Sequence, residues 1–177
     1  IIGRGTGSGI IASGTAASMC VITNQDDGVI VGGTASGIYV QSGTCVIDNS
    51  GRIGADQNAA PVVSDYGIRL LSGNGTANSM ITNNSGGIIT GLSYGIHSAV
   101  SIIGNGTVDG IVNKSGGTIS SGTSAGTAVH LATVGRVTNF DDIEGYDYGV
   151  RIAGGSVSTL TNYGTIDGAT FGITSPR

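Results

Sequence analysis

The sequence predicts an all-β fold, a right-handed, three-faced parallel β-helix (β-solenoid) of about six to seven coils, and three observations carry that expectation. The first is composition. Of the 177 residues 34 are glycine, and counting along the chain gives 39 Ser plus Thr and 37 Ile plus Val but only 5 Leu. Turn formers mixed with β-branched residues favour strands and disfavour helices. The second is a recurring Gly-Ile or Gly-Val pair: Gly9-Ile10, Gly37-Ile38, Gly67-Ile68, Gly95-Ile96, Gly149-Val150 and Gly172-Ile173, with Ala128-Val129 filling the one gap. The third is an apolar residue followed two positions on by Asn, as in Ile22-Thr23-Asn24, repeated at Asn49, Asn83, Asn113, Asn139 and Asn162. After every Asn comes a further short apolar stretch, from Val29-Ile30 through Ile53, Ile88, Ile119 and Ile143 to Ile166.

Each repeat therefore holds three short apolar stretches, and three strands with tight turns fill a little over about 20 residues. Taken in order, the Gly-Ile stretch has the two-residue period of a strand. Ile38 and Val40, Ile68 and Leu70, and Val150 and Ile152 are expected inside, with Tyr39, Arg69 and Arg151 outside. The second stretch is expected to form one inward stack of Ile22, Ile47, Ile81, Ile111, Val137 and Leu160. The Asn that closes it, at 24, 49, 83, 113, 139 and 162, reads as a structural ladder along a corner, because an Asn amide can bond to the amide of the coil above. Handedness follows from the preference of parallel crossovers. Insertions near 55–65, which contain Pro61, and near 99–110 are expected to project as side loops. No coil buries its own apolar side, so the whole of 1–177 is expected to be a single solenoid segment, either a slice of a longer chain or a unit that stacks on copies of itself.

Charge excludes some functions. Charged residues make up 10% of the chain and the net charge is −4, so no basic field holds nucleic acid. No apolar run is long enough to insert directly into a membrane. The stretch Thr161-Asn162-Tyr163-Gly164-Thr165-Ile166-Asp167-Gly168 and its weaker copies resemble the repeats of bacterial autotransporter passenger domains, and the likeness runs from about Gly9 to Thr174. The resemblance implies an extracellular or cell-surface location, with the signal peptide and membrane anchor lying outside this sequence, and a role in adhesion or as a stalk. It carries over no catalytic residue. The expected function is thus a structural or adhesive surface segment without catalysis. A self-associating extracellular fibre or matrix subunit and a carbohydrate-active enzyme fragment stand as alternatives. The expected partners are the rest of its own chain, copies of itself through open solenoid ends, and host or matrix glycans.

Each candidate site also has a structural reading. Carbohydrate cleavage needs two carboxylates close together. The pairs Asp26-Asp27 and Asp141-Asp142 fall two and three residues after a ladder Asn but four coils apart, about 19 Å at the ladder spacing. They read as turn residues, and neither a metal site nor a cofactor is expected. His97 and His130 occupy equivalent outward positions, with no Asp, Glu or Cys at that place to complete a ligand set. Cys20 and Cys45 each stand four residues before a ladder Asn, hence about 5 Å apart on neighbouring coils, as a disulfide or as two buried thiols. Tyr66, Tyr94, Tyr148 and Phe171 precede the repeat glycine and are expected to stack at one corner in two pairs. The outward residues of successive Gly-Ile strands, Tyr39, Arg69, His97, His130 and Arg151, form a line. That line suits a glycan or other anion, more strongly once the histidines are protonated, or it merely keeps strand faces polar.

Overall fold

The computed structural model describes residues 1–3, 5–15, 18–56, 62–71, 79–98, 110–122, 126–131, 136–153 and 159–174, with the backbone alone at 55, 56, 62, 63, 97 and 98. The described residues form strands and turns without a helix. Three parallel sheets wind around one core. The first holds Ile10–Ala12, Ser36–Val40, Tyr66–Leu70, Tyr94–Ser98, Thr127–Leu131, Tyr148–Ile152 and Phe171–Thr174. The second holds Met19–Asn24, Thr44–Asn49, Met80–Asn83, Ile111–Asn113, Arg136–Asn139 and Thr159–Asn162. The third holds Val29–Ile30, Arg52–Ile53, Ile88–Gly91, Thr118–Ser121, Asp142–Gly145 and Thr165–Gly168. The chain visits the sheets in that order on every coil. The solenoid makes about five turns, slightly fewer than the six to seven coils expected.

Register makes the core. Ile22, Ile47, Ile81, Ile111, Val137 and Leu160 pair in succession as one inward stack. Ile30, Ile53, Ile89, Ile119, Ile143 and Ile166 form a second, and Ile38, Ile68, Ile96, Val129 and Val150 a third. Away from the two ends these side chains are fully buried. Burying one isoleucine is worth about 1.5–3 kcal/mol, and here each is sealed by the coils above and below, so stability accrues between coils and not within them.

The Asn residues close the corner between the second and third sheets. Asn24 Nδ2 donates to Asn49 Oδ1 at 2.8 Å, Asn49 to Asn83 at 2.8 Å, Asn83 to Asn113 at 2.9 Å, Asn113 to Asn139 at 2.8 Å, and Asn139 to Asn162 at 2.9 Å. The other amide hydrogen goes to backbone. For Asn83 it is shared between the carbonyls of Gly87 at 2.9 Å and Thr118 at 3.1 Å. A primary amide has two hydrogens and one acceptor oxygen, and an amide stacked at the ladder spacing uses all of them, which lets Asn49, Asn83, Asn113 and Asn139 sit at zero exposure.

The turn after this Asn comes in two lengths. After Asn24, Asn83 and Asn113 the next core isoleucine is six positions on, at Ile30, Ile89 and Ile119; after Asn49, Asn139 and Asn162 it is four positions on, at Ile53, Ile143 and Ile166. The long form is a closed turn in which Gly28, Gly87 and Gly117 N–H groups donate to the carbonyls of Gln25, Asn84 and Lys114, each at 2.9 Å. Its penultimate residue has positive φ: 64° at Asp27, 78° at Gly86 and 82° at Gly116. The two Asp pairs are therefore not equivalent. Asp27 sits in the left-handed position of a long turn, whereas Asp142 already belongs to a third-sheet strand opposite Thr118. Near 55–65, Ala55–Asp56 and Val62–Val63 pair antiparallel outside the three sheets; the expected loop at 99–110, Gly110 apart, lies outside the described residues.

Candidate functional site

The outer surface of the first sheet carries the densest set of functional groups. Ladder pairing runs Ile11, Tyr39, Arg69, His97, His130, Arg151, Thr174, each residue directly opposite the next. One position per coil at about 4.8 Å gives a straight line parallel to the solenoid axis.

The corner beside this line brings in a second set. Strict alternation would send Tyr66 inward with Ile68, but the chain bends at Gly67. A Cβ there would lie 3.0 Å from Ile89 Cγ2 and 2.5 Å from the Gly95 carbonyl oxygen, so glycine is required by close approach. The bend leaves Tyr66 partly exposed beside Arg69, whose guanidinium carbon is 4.8 Å from the Tyr66 ring centre and 5.5 Å from that of Tyr39. Tyr66 stacks on Tyr94 at 5.4 Å and 5°, and Tyr94 meets the His130 ring at 5.5 Å. One coil further, Arg151 lies over Tyr148 at 5.2 Å and Tyr148 stacks on Phe171 at 5.9 Å. The signal for this union is in the sequence as Tyr66-Gly67-Ile68-Arg69 and Tyr148-Gly149-Val150-Arg151, but ring and cation read as separate features until the glycine bend joins them.

Electrostatics favour an outside anion. Among the described residues neither the Arg69 nor the Arg151 guanidinium has a hydrogen-bond or ion-pair partner; Arg69 Nε is buried, so the terminal Nη groups are the ones left for an outside anion. The nearest repeat carboxylates, Asp65 and Asp147, are engaged by the next coil: Ser93 Oγ donates to Asp65 at 2.5 Å, and Thr170 Oγ1 donates to Asp147. Burial pushes the Tyr66 phenol above its usual range; the Arg69 cation opposes that rise, and Asp65 and Tyr94 add to it.

Elsewhere the groups are dispersed. Asp26 and Asp27 line a shallow cleft of about 260 Å³ with Ser50, Gly51, Arg52, Ser85 and Gly86, formed where the short turn of one coil is recessed between two long ones. Asp141 Oδ2 accepts from the Gly116 N–H at 2.5 Å, a turn-stabilising bond. Among the described residues no group of three or more His, Cys, Asp or Glu is placed to hold a metal.

Cys20 and Cys45 are opposite each other in register, with Cα atoms 4.5 Å apart and their sulfurs in bonding contact. A bridge between residues 25 apart in sequence is worth about 3.5 kcal/mol in the chain-entropy account. Titration of the unfolded, unreduced protein is expected to find no free thiol; two thiols would exclude the bridge.

Compared with known proteins, the chain matches no family model, and no curated protein or solved structure is significantly similar to it.

Proposed function

We propose that this chain is a non-catalytic, surface-displayed segment of an exported bacterial protein, a rod with an adhesive face. The observation that carries the reading is the unbroken in-register line from Tyr39 to Arg151 on the outside of the first sheet. A solenoid places identical backbone positions at a fixed spacing, and here those positions bear cations and aromatic groups suited to contact instead of the acid–base pair that hydrolysis needs. The resemblance to passenger-domain repeats supports export. So does the Cys20–Cys45 contact, since bridges persist in oxidising compartments outside the cytosol.

The test is accessibility on the producing cell. Antibodies raised against the purified chain are expected to label intact cells as strongly as permeabilised ones. Labelling that appears only after permeabilisation would contradict display.

A further inference from the structure

We propose that the Tyr39-to-Arg151 line binds a linear carboxylated polysaccharide lying parallel to the solenoid axis. This names the ligand class for the adhesive face and rests on that reading. The first argument is periodicity. A ligand that meets one residue per coil must itself repeat on the scale of the ladder, about 4.8 Å, which is the scale of one sugar ring in an extended chain. A single small anion would meet only one arginine, because Arg69 and Arg151 are three ladder steps apart, about 14 Å.

The second argument is the form of the cation. Arg69 is held against Tyr39 and Tyr66, and Arg151 against Tyr148. With the guanidinium carbon held over a ring and Arg69 Nε buried, the terminal Nη groups are left for a planar two-oxygen acceptor, the geometry of a carboxylate. The third is vacancy of partners. The protein's own carboxylates at this corner, Asp65 and Asp147, accept hydrogen bonds from Ser93 Oγ and Thr170 Oγ1 instead of pairing with the arginines. The half-buried rings of Tyr39, Tyr94 and Tyr148 offer contact to sugar rings through the parts their neighbours leave uncovered. With a net charge of −4, the remainder of the surface repels a polyanion, which confines it to this line and makes binding sensitive to salt.

The experiment uses the purified chain at low ionic strength with immobilised polygalacturonate, neutral dextran and inorganic polyphosphate. Binding is expected to polygalacturonate, weakly to polyphosphate and not to dextran. Arg69→Gln with Arg151→Gln is expected to reduce polygalacturonate affinity by about tenfold or more. Arg52→Gln with Lys114→Gln, which removes the same charge elsewhere, is expected to change it by less than about twofold. Affinity for oligogalacturonates is expected to rise until the oligomer spans both arginines and then level off. No binding by the parent, equal losses in the two double variants, polyphosphate binding as tight as polygalacturonate, or a monomer bound as tightly as the longest oligomer would each overturn the proposal. If the glutamine pair does not fold, Arg69→Lys with Arg151→Lys keeps the charge and loses the planar fork; parent-like affinity in that variant also overturns it. Antibody labelling of intact cells is independent of all these outcomes, so failure of the ligand assignment is distinguishable from failure of surface display.

Discussion

Replacing Asn83 with alanine is expected to lower the unfolding free energy by about 4 kcal/mol, an effect as large as losing a buried isoleucine. Asn83 is fully buried and lies in the middle of the amide ladder. Its removal leaves Asn49 Nδ2 without the Asn83 acceptor, Asn113 Oδ1 without a ladder donor, and the Gly87 and Thr118 carbonyls without their side-chain donor. Leaving a buried polar group unsatisfied costs about 1–3 kcal/mol; several are left here, and some regain partial partners by relaxation. Asn83→Asp is expected to do no better, since a carboxylate accepts but does not donate and would face three oxygens, the Gly87 and Thr118 carbonyls and Asn113 Oδ1. Asn162→Ala is the internal comparison. Asn162 is exposed at the last rung, so its loss is expected to cost under about 1 kcal/mol, because water replaces the missing bonds. Denaturant titration of the three variants checks the series, and equal midpoints for Asn83→Ala and Asn162→Ala would show that the ladder is not what holds the corner.

The second large effect is expected at Gly54. Its φ is +86°, a conformation that costs an L-residue about 1–2 kcal/mol. The space is closed as well: a Cβ would sit 1.9 Å from the Thr90 carbonyl oxygen and 2.7 Å from Gly67 Cα, both backbone atoms of the next coil. Relieving that overlap means moving one coil away from its neighbour, at a further cost of about 1–3 kcal/mol. Gly54→Ala is therefore expected to lose about 3–4 kcal/mol, read as a shifted thermal midpoint or as failure to accumulate soluble protein. Gly122→Ala provides the contrast, since among the described residues the nearest atom to its added Cβ is 3.9 Å away; it is expected to stay within about 0.5 kcal/mol of the parent.

These two positions also show what was legible in the sequence. The strand rows were legible, because a period of two within strands and a recurring Gly-Ile, apolar-x-Asn and apolar sequence across coils leave one register that buries the repeat isoleucines away from the two ends. The alignment of Tyr39, Arg69, His97, His130 and Arg151 followed from the same count. Local geometry was less accessible. That Tyr66 stays outside although it has the parity of Ile68 depends on the bend at Gly67, which is set by how closely Gly95 and Ile89 approach from the next coil. The two turn lengths after the ladder Asn were hidden by counting from the Asn forward. Counting back from Ile30, Ile53, Ile89, Ile119, Ile143 and Ile166 separates them, and shows that Asp27 and Asp142 occupy different places. Contacts between side chains from different motifs, such as Arg69 with Tyr66 and Tyr39, lie beyond periodicity, because period assigns a face and not a neighbour.

The central claim is that one outward residue per coil falls on a straight line along a rigid rod. Spin labels attached through Ile11→Cys and Arg151→Cys test it directly, because both sites are exposed and the ladder places five steps between them. The expected result is a single narrow distance distribution near 24 Å, with about 4.8 Å contributed by each step. A broad distribution, or one centred well away from that distance, would contradict the in-register solenoid and with it the adhesive line.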